Sequence, residues 1–338
     1  MSSFGRVTAS LRPAWRSAGT RVADPGRPVV EPDVVALPTR LALFDLTDVG
    51  EEGARAPSLQ LAAASPSGGY RAVPIMVAIN GTASGSQTAA SEAVLGTATG
   101  VLAAGQSAVI DHDGAVEVLL ANPDHWLQSC DDAALVGGTN LAVVGDEMIQ
   151  FGSAEAIAPG RFRLSRLLRG RRGSEWAMAA HIVGEPFLLV DARALKGISA
   201  SASMIGTGVT VTAYGPGNDG QEPVVSRIIQ GEAARPLSPA QLRGAVRADG
   251  TLELSWTRRS RRGFAWIDAV DMPPDPDLSG YRIAISGPAA SAEYSVTEPQ
   301  LVVSAAEVAS LGAGPLTITA RQAGSIGLSR PTTIIINP

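Results

Sequence analysis

Residues 140–191 read NLAVVGDEMIQFGSAEAIAPGRFRLSRLLRGRRGSEWAMAAHIVGEPFLLVD, and the way this stretch is punctuated decides the fold. Its apolar runs are broken by GD, APG and GRRG, which is the chemistry of strands and turns. Asn140 to Val144 and Met148 to Phe151 flank Gly145-Asp146, a dipeptide suited to the positive φ of a tight hairpin. A second hairpin is expected at Ala158-Pro159-Gly160, where Pro fixes φ and Gly permits a left-handed residue. Beyond it Phe162, Leu164 and Leu167 lie among Arg161, Arg163, Arg166 and Arg169, the mixture expected of a strand with one wet face. Gly170-Arg171-Arg172-Gly173 ends that strand.

Working outward, the chain has 338 residues, of which 45% are hydrophobic and 17% charged. That is enough apolar material for the cores of two or three domains. With 37 Gly and 23 Pro, many turns and short strands are expected rather than long helices, so the fold class is all-β. A net charge of -5 argues against a protein whose main task is coating nucleic acid. The single cysteine, Cys130, leaves no intrachain disulfide framework and is expected to be a buried, inert thiol. No run of apolar residues reaches the length of a transmembrane helix.

Four segments are expected. Residues 1–30 form a basic arm, with Arg6, Arg12, Arg16, Arg21 and Arg27 against the single acid Asp24. Residues 31–108 make a first β domain, in which the small side chains of Thr82 to Gly105 suit a surface loop or a closely packed edge. Residues 109–234 make a central β domain carrying the Arg-rich hairpins, entered through a hairpin over Val109 to Ala121 with Asp111-His112-Asp113-Gly114 at its tip. Arg235-Pro236-Leu237-Ser238-Pro239 reads as a linker open to proteases. Residues 235–338 then alternate as Leu252-Glu253-Leu254-Ser255-Trp256, Tyr281 to Ile285 and Leu316 to Ala320. This resembles a fibronectin type III sandwich with Trp256 and Tyr281 in its core, although no Tyr precedes the Leu316 strand at the usual corner.

The order Gly145-Asp146-Glu147, then Leu167-Leu168-Arg169-Gly170-Arg171-Arg172-Gly173-Ser174-Glu175-Trp176, then His181 and Gly184-Glu185, resembles a hallmark of phage tail-tip proteins. It is most similar to the large baseplate hub protein of gene transfer agents and related siphophages. The similarity extends more weakly from about Pro28 to the C-terminus. Members of that family usually carry a glycosidase-like barrel upstream; no such segment is read in these residues, so no enzymatic activity follows from the resemblance.

The candidate interaction residues are Asp146, Glu147, Arg169, Arg171, Arg172, Glu175, Trp176 and His181. Asp146 and Glu147 are neighbours on a strand and point to opposite faces, so they cannot easily flank one bond as an acid–base pair. His112, His125 and His181 show no metal-binding spacing, and no nucleophile elbow or phosphate-binding glycine loop is present. No cofactor, metal or catalytic residue is expected.

Six arginines lie between Arg161 and Arg172 with no acid among them, and Arg258, Arg259, Arg261 and Arg262 add four. Two uses compete: contact with phosphate, or pairing with carboxylates such as Glu147, Glu175, Glu185 and Asp191 within or between subunits. Pairing is favoured, because aromatic residues that would stack bases are not interleaved with these arginines, Phe162 belonging to the apolar face of its strand. The Arg258 cluster reads as a solvated loop between Trp256 and Trp266. Ser174 is expected to cap the backbone N–H groups of a short helical turn carrying Glu175 and Trp176.

The resemblance implies a structural component of a virion or phage-like tail tip, part of the baseplate hub or an attached fibre, made in the bacterial cytoplasm. Its implied partners are other tail or baseplate proteins and two further copies of itself, because the resembled hubs are trimers. No specific nucleic acid is expected. The alternative is an adhesion module that binds a host receptor or surface glycan.

Overall fold

The computed structural model describes residues 37–50, 53–215, 217–218, 220–262 and 271–337. The basic arm of residues 1–30 and Trp266 lie outside the described residues. Apolar alternation produces strands in chain order: β1 (Arg40–Phe44), β2 (Ser58–Ala64), β3 (Val73–Ile79), β4 (Thr82–Ala89), β5 (Leu95–Ala98) and β6 (Asp111–Leu120). A short helix, α1 (Asp132–Val136), precedes β7 (Leu141–Val144), β8 (Glu147–Ala158), β9 (Arg161–Leu168) and β10 (Pro186–Leu189). Then follow β11 (Lys196–Ser199), β12 (Gly208–Ala213) and β13 (Val224–Ile228). The fold is all-β, as expected, and is built of several small sheets and a barrel.

The barrel closes in the order β10-β5-β6-β9-β8-β7. Both expected hairpins are in it. Val144 pairs with Glu147 across Gly145-Asp146, and Gly145 takes the positive φ of 61°. Pro159-Gly160 joins β8 to β9 with Gly160 at φ 67°. Along β9, Arg161 and Arg163 face solvent while Phe162 and Leu164 face the core. That core gathers Val116, Val118, Phe151, Phe162, Leu164 and Phe187 from four strands. Burying each phenylalanine contributes about 2 kcal/mol over leaving it exposed.

The first β unit is discontinuous, which corrects the boundary expected at residue 108. β11 pairs with β2, and β12 pairs with β3, so the order is β1-β2-β11 in one sheet and β13-β12-β3-β4 in the other. The two sheets share a core of Leu43, Leu59, Leu61, Ile75, Val77, Val209 and Val211. The physical reason is that β2 and β3 are too apolar to stand at an edge, and their missing partners come from residues 196–228. The barrel is therefore inserted into this unit, beginning with β5 and ending with β10. β4 is an exposed edge strand, in line with the small residues of that stretch.

Asp111-His112-Asp113-Gly114 is likewise no hairpin tip. The Asp111 carboxylate accepts the N–H groups of Asp113 (3.1 Å) and Gly114 (2.7 Å) and folds the extra residues into a bulge within β6. Cys130 is half-buried rather than buried; burial raises its pKa and keeps it a thiol.

Residues 240–337 form the sandwich. β14 (Ala240–Val246), β15 (Leu252–Thr257), β16 (Gly280–Ser286), β17 (Ser291–Val296) and β18 (Gln300–Val303) are followed by α2 (Ala305–Ser310). Next come β19 (Leu316–Gly324), β20 (Gly327–Leu328) and β21 (Thr332–Ile336). The sheet β14-β15-β18 faces the sheet β17-β16-β19-β20, with β21 also on β19. Trp256 and Tyr281 meet edge to face in the shared core, ring centroids 5.2 Å apart, as the fibronectin type III pattern requires. Among the described residues no helix is long and apolar enough to cross a membrane.

The segment expected to be an open linker is packed instead. Gly231 to Ala234, Pro236, Leu237 and Pro239 are buried, because Leu237 fills the space above Gly173 of the Arg-rich turn. Chymotrypsin tests this directly: relative to their rates in the urea-unfolded chain, the exposed Trp126, at 64%, should be cut first, and Leu237, at 4%, at least about tenfold more slowly. Equal rates at the two sites would show an open junction.

Candidate functional site

The charged side chains of the opening motif converge on one buried carboxylate, Glu147, the first residue of β8. The geometry of the preceding turn places it there. Gly145 must be glycine for its positive φ, and also because a side chain at that position would run into the Glu185 carboxylate. The turn then sends its two acids apart. Asp146 pairs with Arg227 of β13, while Glu147 enters the barrel end, fully buried.

Arg169 follows β9 and meets Glu147 through two parallel hydrogen bonds, Nε to Oε1 and Nη2 to Oε2, both 2.8 Å. Its remaining Nη1 donates to the Ala103 carbonyl at 2.8 Å and lies 3.5 Å from the Asp111 carboxylate. The Gly170 N–H donates to Glu147 Oε1 at 2.7 Å. His181 completes the group, with Nε2 at 2.6 Å from Glu147 and Nδ1 at 2.7 Å from Glu185. Two cations thus face three carboxylates, and the buried groups have hydrogen-bond partners, the condition under which a buried ion pair is tolerated.

Protonation follows from this geometry. Burial opposes charge on His181, but hydrogen bonds to Glu147 and Glu185 outweigh it and hold its pKa above the ordinary 6.5. Burial likewise raises Glu147, yet the hydrogen bonds from His181 and Arg169 and the charge of Arg169 bring it below the usual 4.5.

The turn that follows ties this barrel end to the rest of the molecule. Gly170, Arg172 and Gly173 take φ of 58°, 55° and 91°, folding residues 171–177 into two tight 3₁₀ turns. Arg171 donates to the Gln150 side-chain oxygen at 2.7 Å, and Gln150 in turn donates to the carbonyls of Leu135 and Thr139. Arg172 reaches the carbonyls of Asp48 (2.9 Å) and Gly50 (2.7 Å), beyond β1. Glu175 pairs with Arg259 at 2.8 Å, and the Arg330 guanidinium stacks 3.5 Å above the Trp176 ring, both arginines belonging to the sandwich segment.

The expected residues therefore come together, with corrections. Arg169 has its carboxylate, Arg171 meets the Gln150 amide, and Arg172 donates to the carbonyls of Asp48 and Gly50. Ser174 makes no capping bond to its own turn: its hydroxyl accepts the Met148 N–H at 2.8 Å and donates to the Arg171 carbonyl at 2.8 Å. The Arg258 cluster is not simply solvated, because Arg261 is fully buried. It binds Asp275 through Nε (2.9 Å) and Nη2 (2.8 Å), and donates to the Ala54 carbonyl at 2.6 Å. Asp111, Gln150 and Asp275 had no sequence signal beyond their type, since each partner is distant along the chain. Among the described residues no cluster of three or more His, Cys, Asp or Glu could hold a metal ion.

The model of a family described as Rcc01698-like, C-terminal, associated with the gene transfer agent of Rhodobacter capsulatus, matches residues 93–188. The matched segment is the barrel. It contains Glu147, Arg169, His181 and Glu185 together. No curated protein matches the chain. Among solved structures, a two-domain fibronectin type III segment of chicken tenascin is 9% identical over 89% of this chain and 99% of that one, with a TM-score of 0.28. The FN1–FN3 domains of chicken CNTN1 are 11% identical over 89% and 98%, with a TM-score of 0.23. Titin kinase with its flanking domains is 15% identical over 29% of this chain and only 16% of that one, with a TM-score of 0.21.

Replacing Arg171 and Arg172 together with Ala should lower the unfolding free energy by about 2–4 kcal/mol in urea titrations, since Arg171 holds the buried Gln150 and Arg172 two main-chain carbonyls within the chain. Binding to short DNA at physiological salt should be negligible before and after. Steep salt-dependent DNA binding whose slope falls by about two units in the variant would mean that the turn grips phosphate instead.

Proposed function

We propose that this chain is a structural component of a phage or gene-transfer-agent tail tip, in the baseplate hub or a fibre attached to it, and that it acts by assembly. The observation that carries this reading is the barrel. The segment that matches the gene-transfer-agent family is the one closed by the Glu147–Arg169 pair, and the motif's charged side chains bind the chain itself. Arg172, Glu175 and Trp176 join the barrel to the first β unit and to the sandwich, the construction of a rigid connector that keeps register under load. In this reading three copies surround the tail axis, other tail proteins bind the barrel unit, and the sandwich projects as a spacer toward the host.

Antibody labelling of purified particles, followed by image reconstruction, tests the reading. Label should sit at the tail tip, with threefold density there and loss of the tip when the gene is deleted. A chain that stays in the cell lysate and never sediments with particles, or that sits as a sixfold ring along the tail, would contradict it. Specific, strong binding on a glycan array by particle-free protein would favour an adhesion module instead.

A further inference from the structure

His181 offers chemistry that a fixed structural contact does not require. Both ring nitrogens face carboxylate oxygens, Nε2 toward Glu147 at 2.6 Å and Nδ1 toward Glu185 at 2.7 Å, so both must carry protons for both contacts to be attractive. A neutral imidazole has one N–H, and its other nitrogen would turn a lone pair on a carboxylate. The two carboxylates are not equivalent. Glu147 is held from behind by Arg169 and by the Gly170 N–H and cannot withdraw. Glu185 is fixed through its backbone, whose carbonyl accepts the Ala98 N–H at 2.9 Å, and its side chain has His181 as its hydrogen-bond partner.

Glu147 comes from β8, Glu185 from the approach to β10, Arg169 from the end of β9, and Asp111 from β6 stands against Arg169. Asp146 faces away, toward Arg227. The residues between the last turn and the β5 anchor are Met178 to Val183. They carry Ile182 and Val183, exposed at 65% and 61%, on the strand-free path between Ala177 and Gly184.

We propose that protonated His181 is the pin of a reversible latch that clamps the loop of residues 178–183 to the barrel end, and that loss of its proton frees this loop while Arg169 keeps the barrel closed. The sign follows from the partners. With the folded pKa of His181 raised, the clamp is complete below the unfolded value near 6.5 and is lost as the pH rises through the folded value. With the folded pKa of Glu147 lowered, the clamp weakens on the acid side only as the pH falls from 4.5 through the folded value. The latch is thus shut in mild acid and opens toward alkali, which changes how freely Ile182 and Val183 are presented.

The test uses the full chain labelled with ¹⁵N-histidine, its His181 signals assigned by removing the other two histidines (H112Q, H125Q). At pH 6 both His181 nitrogens should be protonated, and one titration above 6.5 should leave the Nε2–H tautomer on Glu147. Hydrogen exchange of the Met178 and Ala180 amides, which donate to the carbonyls of Glu175 and Ala177, should, once corrected for the intrinsic rate, show an opening constant that rises about tenfold per pH unit above 6.5 and levels off past the titration. Amides of β8 and β9 should not follow. In E185Q, which keeps an acceptor but removes the charge, the titration should fall by about one unit or more. A singly protonated ring at pH 6, an Nδ1–H tautomer in alkali, exchange rising equally in β8 and β9, or an E185Q titration identical to the parent would each overturn the latch.

Discussion

The bidentate contact between Glu147 and Arg169 is the constraint on which the other features depend. It joins the start of β8 to the end of β9, two points 22 residues apart, inside a space closed to water. A carboxylate or a guanidinium left there alone would be an uncompensated buried charge, so neither residue can be satisfied unless both strands end in the right register. The hydrogen bond from Gly170 to the same carboxylate then fixes where the Arg-rich turn begins. The pair therefore selects one register of the hairpin, and through it one direction for the turn.

From that direction the connection to the rest of the molecule follows. Gly173 stands under Leu237, so a residue of the junction segment rests on the turn and is drawn out of solvent. Arg172 reaches back to the first β unit, while Glu175 and Trp176 reach forward to Arg259 and Arg330. Arg261 repeats the device on a second path, binding Asp275 within its own segment and the Ala54 carbonyl in the first unit. Charged side chains that serve as ties between β units explain how a chain with a net charge of -5 can carry 27 basic residues in clusters and still keep several of them buried.

Much of this is legible in the sequence. The hairpins at Gly145-Asp146 and Pro159-Gly160 depend on local backbone preference, which the sequence states directly. The Trp256 and Tyr281 core depends on alternation within single strands, also local. What escaped is non-local. β2 and β3 take partners from residues 196–228, and strand pairing across an inserted barrel leaves no trace in periodicity. The Pro-rich segment at 235–239 carries the composition of a linker, but Leu237 within it finds a cavity only in the folded state. Arg169 was expected to meet a carboxylate and does; the Gln150 amide that receives Arg171 is a partner no charge pattern announces.

A double-mutant cycle on Glu147 and Arg169 measures whether this pair sets the register of the barrel end. Urea unfolding would be followed for E147Q, R169M and the double variant. If the pair sets the register of the barrel end, each single change should cost about 3–5 kcal/mol or abolish folding, because it strands the partner's charge. The double variant should then lose clearly less than the sum of the two. Single changes costing under about 1 kcal/mol, with strictly additive losses in the double variant, would contradict the account.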